Sequence, residues 1–297
     1  MSLTLKRIII VFLGLMGACM VWPILLSVQH FQNAFPGFLS FAIAQGIAFG
    51  LVFGAIFGSI EGIVVSSRPK AFHGLLFGAI AGIASGALGV IAGQSFLFHA
   101  ADALQGSKQM LSGVSLVLAN GAGWMLIGIF IAMIEGFRSR SIRKILVGLA
   151  GGVVGGIIGG GTLQLILMRF PGNQYALLAG LASFGIALSF FYSFFENRFS
   201  LGTVKILNGR LKNKEYHLSK TRMSIGTNDT CDIVLADYRD VSPVHAYITV
   251  RKGQVILSSA GTDSPVKVND EAKTEAALRR EDVFATGNAK FIYGFFS

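Results

Sequence analysis

Charge and cysteine are both scarce in this chain. Of its 297 residues, 13% are Asp, Glu, Lys or Arg, and two are cysteine, Cys19 and Cys231. Soluble proteins carry about 25% charged residues, so a chain wetted over its whole length is excluded. Two distant cysteines cannot build a disulfide framework or a metal cluster. No Cys/His/Asp group stands at metal-ligand spacing, so neither a metal nor a cofactor is expected. The glycine-rich stretches lack the Gly-Lys-Ser/Thr ending of a phosphate loop. No catalytic residue is assigned. Acid is scarcest in residues 1–198, which hold 4 Asp+Glu against 11 Lys+Arg, a net of +7. Residues 199–297 hold 11 against 14, a net of +3. The cations are not interleaved with exposed aromatics on one soluble face, so nucleic-acid binding is not expected.

What is abundant is apolar residues, at 53%, and glycine, with 38 copies. Apolar runs of about 20 residues mark membrane-spanning helices. Six are read, near 8–28, 38–65, 72–99, 114–137, 145–168 and 175–195. The first resembles a signal peptide in its charged start, but its apolar run continues past Cys19 through "MVWPILLSV", so it is read as a first membrane helix. Cation placement sets the orientation. With the N-terminus cytoplasmic, Lys6, Arg7, Arg68, Lys70, Arg138, Arg140, Arg143, Lys144 and Arg198 lie inside, and Lys108 and Arg169 outside. Six spans then place the C-terminal segment in the cytoplasm of a bacterial inner or plasma membrane.

The membrane half, residues 1–198, contains a repeat. An offset of 74 residues carries Glu61-Gly62 onto Glu135-Gly136, and Gly74, Gly78, Gly82 and Gly86 onto Gly148, Gly152, Gly156 and Gly160. A duplicated helix–basic turn–helix hairpin is expected. Gly46, Gly50, Gly54, Gly58 and Gly62 recur every four residues and drift slowly along one helix face. Such stripes let a second backbone approach closely. Glu61 and Glu135 fall near the cytoplasmic ends, beside cationic turns, where an interfacial salt-bridged role is simpler than transport. Gln45, Gln94, Asn120 and Gln164 are read as hydrogen bonding across helices.

From about Leu201 the hydrophobic period changes to two. "GTVKIL", "KEYHLS", "RMSIG", "CDIVL", "HAYITV", "GQVILSS", "PVKVND" and "AKFIYGFF" are strand candidates separated by turn residues such as Asn208-Gly209 and Asn269-Asp270. Many short strands with such turns predict an all-β sandwich over residues 199–297.

Within that segment Ile225-Gly226, Cys231-Asp232-Ile233-Val234-Leu235, Val241-Ser242-x-x-His245-Ala246, Gly253, Val268-Asn269-Asp270 and Glu281-Asp282-Val283 stand in one order and spacing. The segment resembles a forkhead-associated (FHA) domain over about residues 202–296. The resemblance implies an eleven-strand sandwich without catalytic activity that binds phosphothreonine peptides through loops at one end. It implies that Ser242 donates to a phosphate oxygen and that Gly226 and His245 hold the loop scaffold. The departures weaken the phosphate grip. Thr227 stands where the family has arginine, Pro243 where a basic residue is common, and Ser264-Pro265 where Asn-Gly is usual. A threonine hydroxyl does not replace a guanidinium. Arg239, three residues before Ser242, is the candidate replacement. The partner-binding set is then Thr227, Asn228, Arg239, Ser242 and Ser264. A nucleophile–base reading of Ser242 and His245 is poor, since no oxyanion motif accompanies them.

Two functions follow. In the first, a six-helix anchor in the lipid bilayer presents a cytoplasmic FHA-like module to a protein partner, Ser/Thr-phosphorylated or not, for signalling or assembly. In the second, the tail gates a transporter or channel. Oligomeric state is not read from the sequence.

Overall fold

A computed structural model describes residues 3–65, 67–105, 113–199, 202–218, 222–251, 254–261 and 265–294. Ser264, Lys108, the Lys252-Gly253 turn and the side chain of Asn120 lie outside the described residues. The chain divides into two compact units, residues 7–196 and residues 197–297 with 1–6.

The larger unit is helical: α1 (Leu3–His30), α2 (Phe38–Val65), α3 (Arg68–Gln105), α4 (Gly113–Ala132), α5 (Ile134–Arg138), α6 (Ile142–Arg169) and α7 (Gln174–Arg198). Among the described residues, six helical segments are long and apolar enough to cross a membrane. At 28 residues, α1, α2 and α6 are each about 42 Å long, more than a bilayer core of about 30 Å. The expected fourth span is α4 followed, after a single turn residue at Met133, by α5. Ser141 opens α6, its hydroxyl accepting from the Lys144 backbone N–H.

Glycine sets the packing. Gly50, Gly54 and Gly58 of α2 lie against Gly82/Gly86, Gly78/Gly82 and Gly74/Gly78 of α3. A methyl on any of them would strike backbone atoms of the opposite helix, so α2 and α3 meet backbone to backbone over three turns. In the second hairpin Gly148 faces Ala132, Gly152 faces Gly128 and Ile129, and Gly156 faces Trp124 and Met125. A second row on α6, Gly151, Gly155 and Gly159, seats Tyr192, Leu188 and Phe184 of α7. Aromatic rings fill the centre. Phe49 stacks on Phe53 at 4.4 Å, Phe184 lies 5.1 Å from Trp124, and Phe57 meets Tyr192 at 5.5 Å.

The smaller unit is a two-sheet β-structure with eleven strands among the described residues. They are β1 (Thr203–Ile206), β2 (Glu215–His217), β3 (Arg222–Gly226), β4 (Ile233–Val234), β5 (Ala246–Arg251), β6 (Gln254–Ser259), β7 (Val266–Val268), β8 (Glu271–Lys273), β9 (Glu275–Leu278), β10 (Val283–Thr286) and β11 (Ala289–Gly294). One sheet runs β2-β1-β11-β10-β7-β8, the other β4-β3-β5-β6-β9. Neighbours are antiparallel except β3 with β4. Alternation buries Ile225, Ile233, Ile248, Leu257, Val266, Phe284 and Phe291, and the last two rings stack at 4.8 Å. Strands β8, β9 and β10 were not among the strand candidates. All three residues of β8 are exposed, and β9 keeps only Leu278 buried, so neither shows an apolar alternation.

Candidate recognition loops and the helix-end charge cluster

The β3–β4 and β4–β5 connections are laced together by backbone. Thr227 N–H donates to Ser242 O and Asn228 N–H to Pro243 O, both at 3.1 Å. The thiol of buried Cys231 donates to Pro243 O at 3.3 Å. Gly226 is required by this closeness, because a methyl there would land on the Pro243 carbonyl. Its φ is not in the left-handed region, so space rather than backbone freedom demands glycine. The Asn228 side chain turns back on its own loop and accepts from Thr230 N–H at 3.0 Å. Ser224 and Asp232 close the base, Ser224 N–H donating to the Asp232 carboxylate at 2.9 Å.

His245 ties two loops. Its Nδ1 accepts from Ser242 N–H at 3.2 Å, and its Nε2 meets Pro265 O at 3.3 Å. An acceptor at Nδ1 assigns the hydrogen to Nε2, the tautomer both contacts need. The ring is buried and its link to Ser242 runs through the backbone amide, an arrangement for holding a loop rather than for taking a hydroxyl proton.

Arg239 is exposed, and its backbone is fastened elsewhere. Its carbonyl accepts from Asn288 N–H of the β10–β11 turn at 3.1 Å, whereas Ser242 is fastened to Thr227. Nearby, Tyr238 Oη donates to Asn208 O at 2.6 Å, and Arg210 pairs with Asp237 at 3.1 Å. Two residues of the expected binding set therefore have their main chains anchored on different neighbours. Arg222 lies flat on Tyr247, 3.7 Å from the ring centroid, a cation–π contact on the sheet rather than a loop contact.

At the C-terminal ends of α2 and α5 and the start of α6, four charges form one cluster. Arg138 grips Glu135 with two bonds of 2.9 Å and reaches Glu61 at 3.0 Å. Lys144 Nζ contacts Glu61 at 2.7 Å and Glu135 at 3.1 Å. Side-chain exposure is 2% for Glu135, 5% for Lys144, 16% for Glu61 and 20% for Arg138. The sequence marked the two acids; their partners come from the second basic turn, 77 and 83 residues beyond Glu61. Among the described residues no group of three or more His, Cys, Asp or Glu is placed to hold a metal.

A family model described as the inner membrane component of T3SS, cytoplasmic domain, matches residues 205–294, under a third of the chain. No curated protein matches the chain. Among solved structures, the FHA domain of CT664 from Chlamydia trachomatis is 24% identical over 32% of this chain and 98% of that one, with a TM-score of 0.30. The cytoplasmic domain of the T3SS sorting platform protein PscD from P. aeruginosa is 19% identical over 31% and 78%, with a TM-score of 0.29. An FHA domain of a hypothetical protein from Arabidopsis thaliana is 18% identical over 32% and 86%, with a TM-score of 0.30. The chain carries an FHA-type domain behind a region of six membrane-length helices. The matched family is that of a membrane component, and its matched part is cytoplasmic.

Proposed function

We propose that the chain is a non-enzymatic membrane adaptor. Residues 1–198 anchor it in the bilayer with the N-terminus on the cytoplasmic side, and residues 199–297 recruit a protein partner there. The family description, an inner membrane component of T3SS, favours work within a membrane assembly.

The partner is recognised by surface shape and neutral polar contacts, without need of phosphothreonine. One observation carries this. The two backbone amides after Gly226 are committed to Ser242 O and Pro243 O, and the side chain after that glycine is Thr227. A phosphate of nearly two charges is held best by charge-assisted bonds. The sole cation between Leu235 and His245 is Arg239, which is followed by Asp240 and preceded by Asp237. Asp237 is already paired with Arg210, and the adjacent Asp240 offsets the attraction of Arg239 for an anion.

The test uses the full chain in nanodiscs as bait in native lysate, with and without phosphatase. Capture of the same partner from both is expected. Capture that vanishes after phosphatase treatment refutes phosphate independence, and no partner from either lysate refutes the adaptor.

A further inference from the structure

The helical unit is not packed evenly. In the half of the bundle remote from the C-terminal end of α7 lies a cavity of about 270 Å³, where a methyl on Gly93 or Gly121 would meet its neighbours only at 3.2 and 3.4 Å although Gly46 stays tight against α3. Its wall includes Leu25 of α1, Phe49 of α2, Ile127 of α4, Leu163 of α6 and Leu181 of α7. Among the described residues, Gln29, Gln45, Gln94 and Trp124 are the hydrogen-bonding side chains of the lining, and no charged residue is among them. Among the described residues, the amides of Gln45 and Gln94 and the indole N–H of Trp124 make no hydrogen bond. Polar groups left unpaired at membrane depth cost several kcal/mol each, and Gln45 is only seven residues inside α2, about 10 Å from its end. With α2 centred on a hydrocarbon core of about 30 Å, its ends overhang by about 6 Å, which puts Gln45 about 4 Å inside the core, next to the level of the lipid ester carbonyls. The lining includes exposed Gln29 and Phe38, which flank the α1–α2 connection.

We infer that this cavity is a binding site for the acyl end of a neutral lipid. The chain segment occupies the space walled by Phe49, Ile127, Leu163 and Leu181. The acyl carbonyl accepts from the Gln45 and Gln94 amides and the Trp124 indole. The volume equals that of about nine liquid waters, which suits part of one acyl chain and not a whole lipid. Among the described residues no cation lines the cavity, which argues against an anionic head group or a free fatty acid at that point.

The chain holds two tryptophans, Trp22 and Trp124, so Trp22→Phe leaves a reporter in the cavity wall. The experiment titrates brominated monoacylglycerol into full-length Trp22→Phe protein in nanodiscs and follows quenching of Trp124. Brominated alkane and brominated fatty acid are run in parallel. Saturable quenching at low mole fraction is expected for the monoacylglycerol, with both others weaker. Replacing Gln45 and Gln94 together by leucine weakens it by about tenfold, the effect of losing two neutral hydrogen bonds. Ala42→Phe, or the milder Ala42→Leu, fills the space and removes the saturable component. Three results would each overturn the site: quenching that rises in proportion to bromolipid without saturating, saturation that neither kind of variant alters, or a preference for the fatty acid. The first of these means the cavity holds only water.

Discussion

Lys144 is the residue whose removal should most disturb the helical unit. Its Nζ is 2.7 Å from Glu61 and 3.1 Å from Glu135, and its side chain is 5% exposed. In Lys144→Met the methylene stem is conserved and the charge is lost. Two carboxylates then share Arg138, which already gives Glu135 two of its bonds. Removing one partner of a buried pair costs about 3–5 kcal/mol, because the remaining charge stays buried and under-compensated. The bonds Arg138 retains place the expected loss at the lower end, about 3 kcal/mol. The double variant Lys144→Met, Glu135→Leu leaves one cation facing one anion, Arg138 with Glu61. Its loss should fall short of the summed single losses by about 1–3 kcal/mol, the coupling expected of residues in direct contact. Both are read from unfolding of the full chain in detergent, followed by circular dichroism. Strict additivity, or a Lys144→Met loss under about 1 kcal/mol, the ceiling for exposed pairs, would mean the cluster behaves as a surface ion pair and refute the argument.

The other predictions are local. Gly54→Leu forces α2 from α3 and should cost at least about 1–3 kcal/mol as an overpacking change, whereas Leu51→Ala on the outward face should leave the same melt nearly unchanged. Gly226→Ala drives a methyl onto the Pro243 carbonyl and should cost the FHA-type domain about 1–3 kcal/mol in denaturant unfolding. His245→Ala should speed hydrogen exchange at the Ser242 amide and lower partner capture, since it cuts both loop ties. Burial raises the Tyr216 hydroxyl above its usual value. The stability this gives is full below about pH 10 and is lost as pH climbs toward the folded value, so Tyr216→Phe should flatten the alkaline part of the melt profile.

Helices were legible because an apolar run of membrane length leaves few alternatives. Some strands with one buried face were equally legible: β5 buries alternate residues, and "HAYITV" displays that alternation openly, whereas the four residues of β10 alternate in burial too and are not read as a strand from "VFAT". β8 buries none of its residues, so "EAK" carries no pattern; it exists because its backbone pairs with β7. The glycine rows of α2 and α3 could be seen as rows, but which helix each would meet is a tertiary fact. The second row on α6 lies outside the repeat, which pairs Gly148, Gly152, Gly156 and Gly160 with glycines of α3 but sets Gly151, Gly155 and Gly159 against Phe77, Ala81 and Ser85. Gly151, Gly155 and Gly159 occupy another face of the same helix and serve α7. In the loops, Ser242 and His245 were found by their spacing, but the loss of the Thr227 and Asn228 amides to Ser242 and Pro243 has no signature in residue type. Backbone donors are identical in every residue but proline, and only the fold shows which are taken.

The case for an anchor over a carrier rests on what each helix contact permits. A carrier must let elements slide or rock between two arrangements of similar energy. Where α2 meets α3, the rows Gly50–Gly54–Gly58 and Gly74–Gly78–Gly82–Gly86 interlock at backbone contact, leaving no room for a side chain between the two helices. The same hairpin is pinned to the second by Glu61, whose carboxylate is held by Arg138 and Lys144. A coupling ion would need a carboxylate it can neutralise in turn, yet Glu61 and Glu135 each already face two cations. Substituting both by glutamine should therefore weaken the fold and leave no solute flux to abolish. Flux in liposomes from the unaltered chain that disappears in Glu61→Gln, Glu135→Gln, with the helical circular dichroism intact, would overturn the anchor.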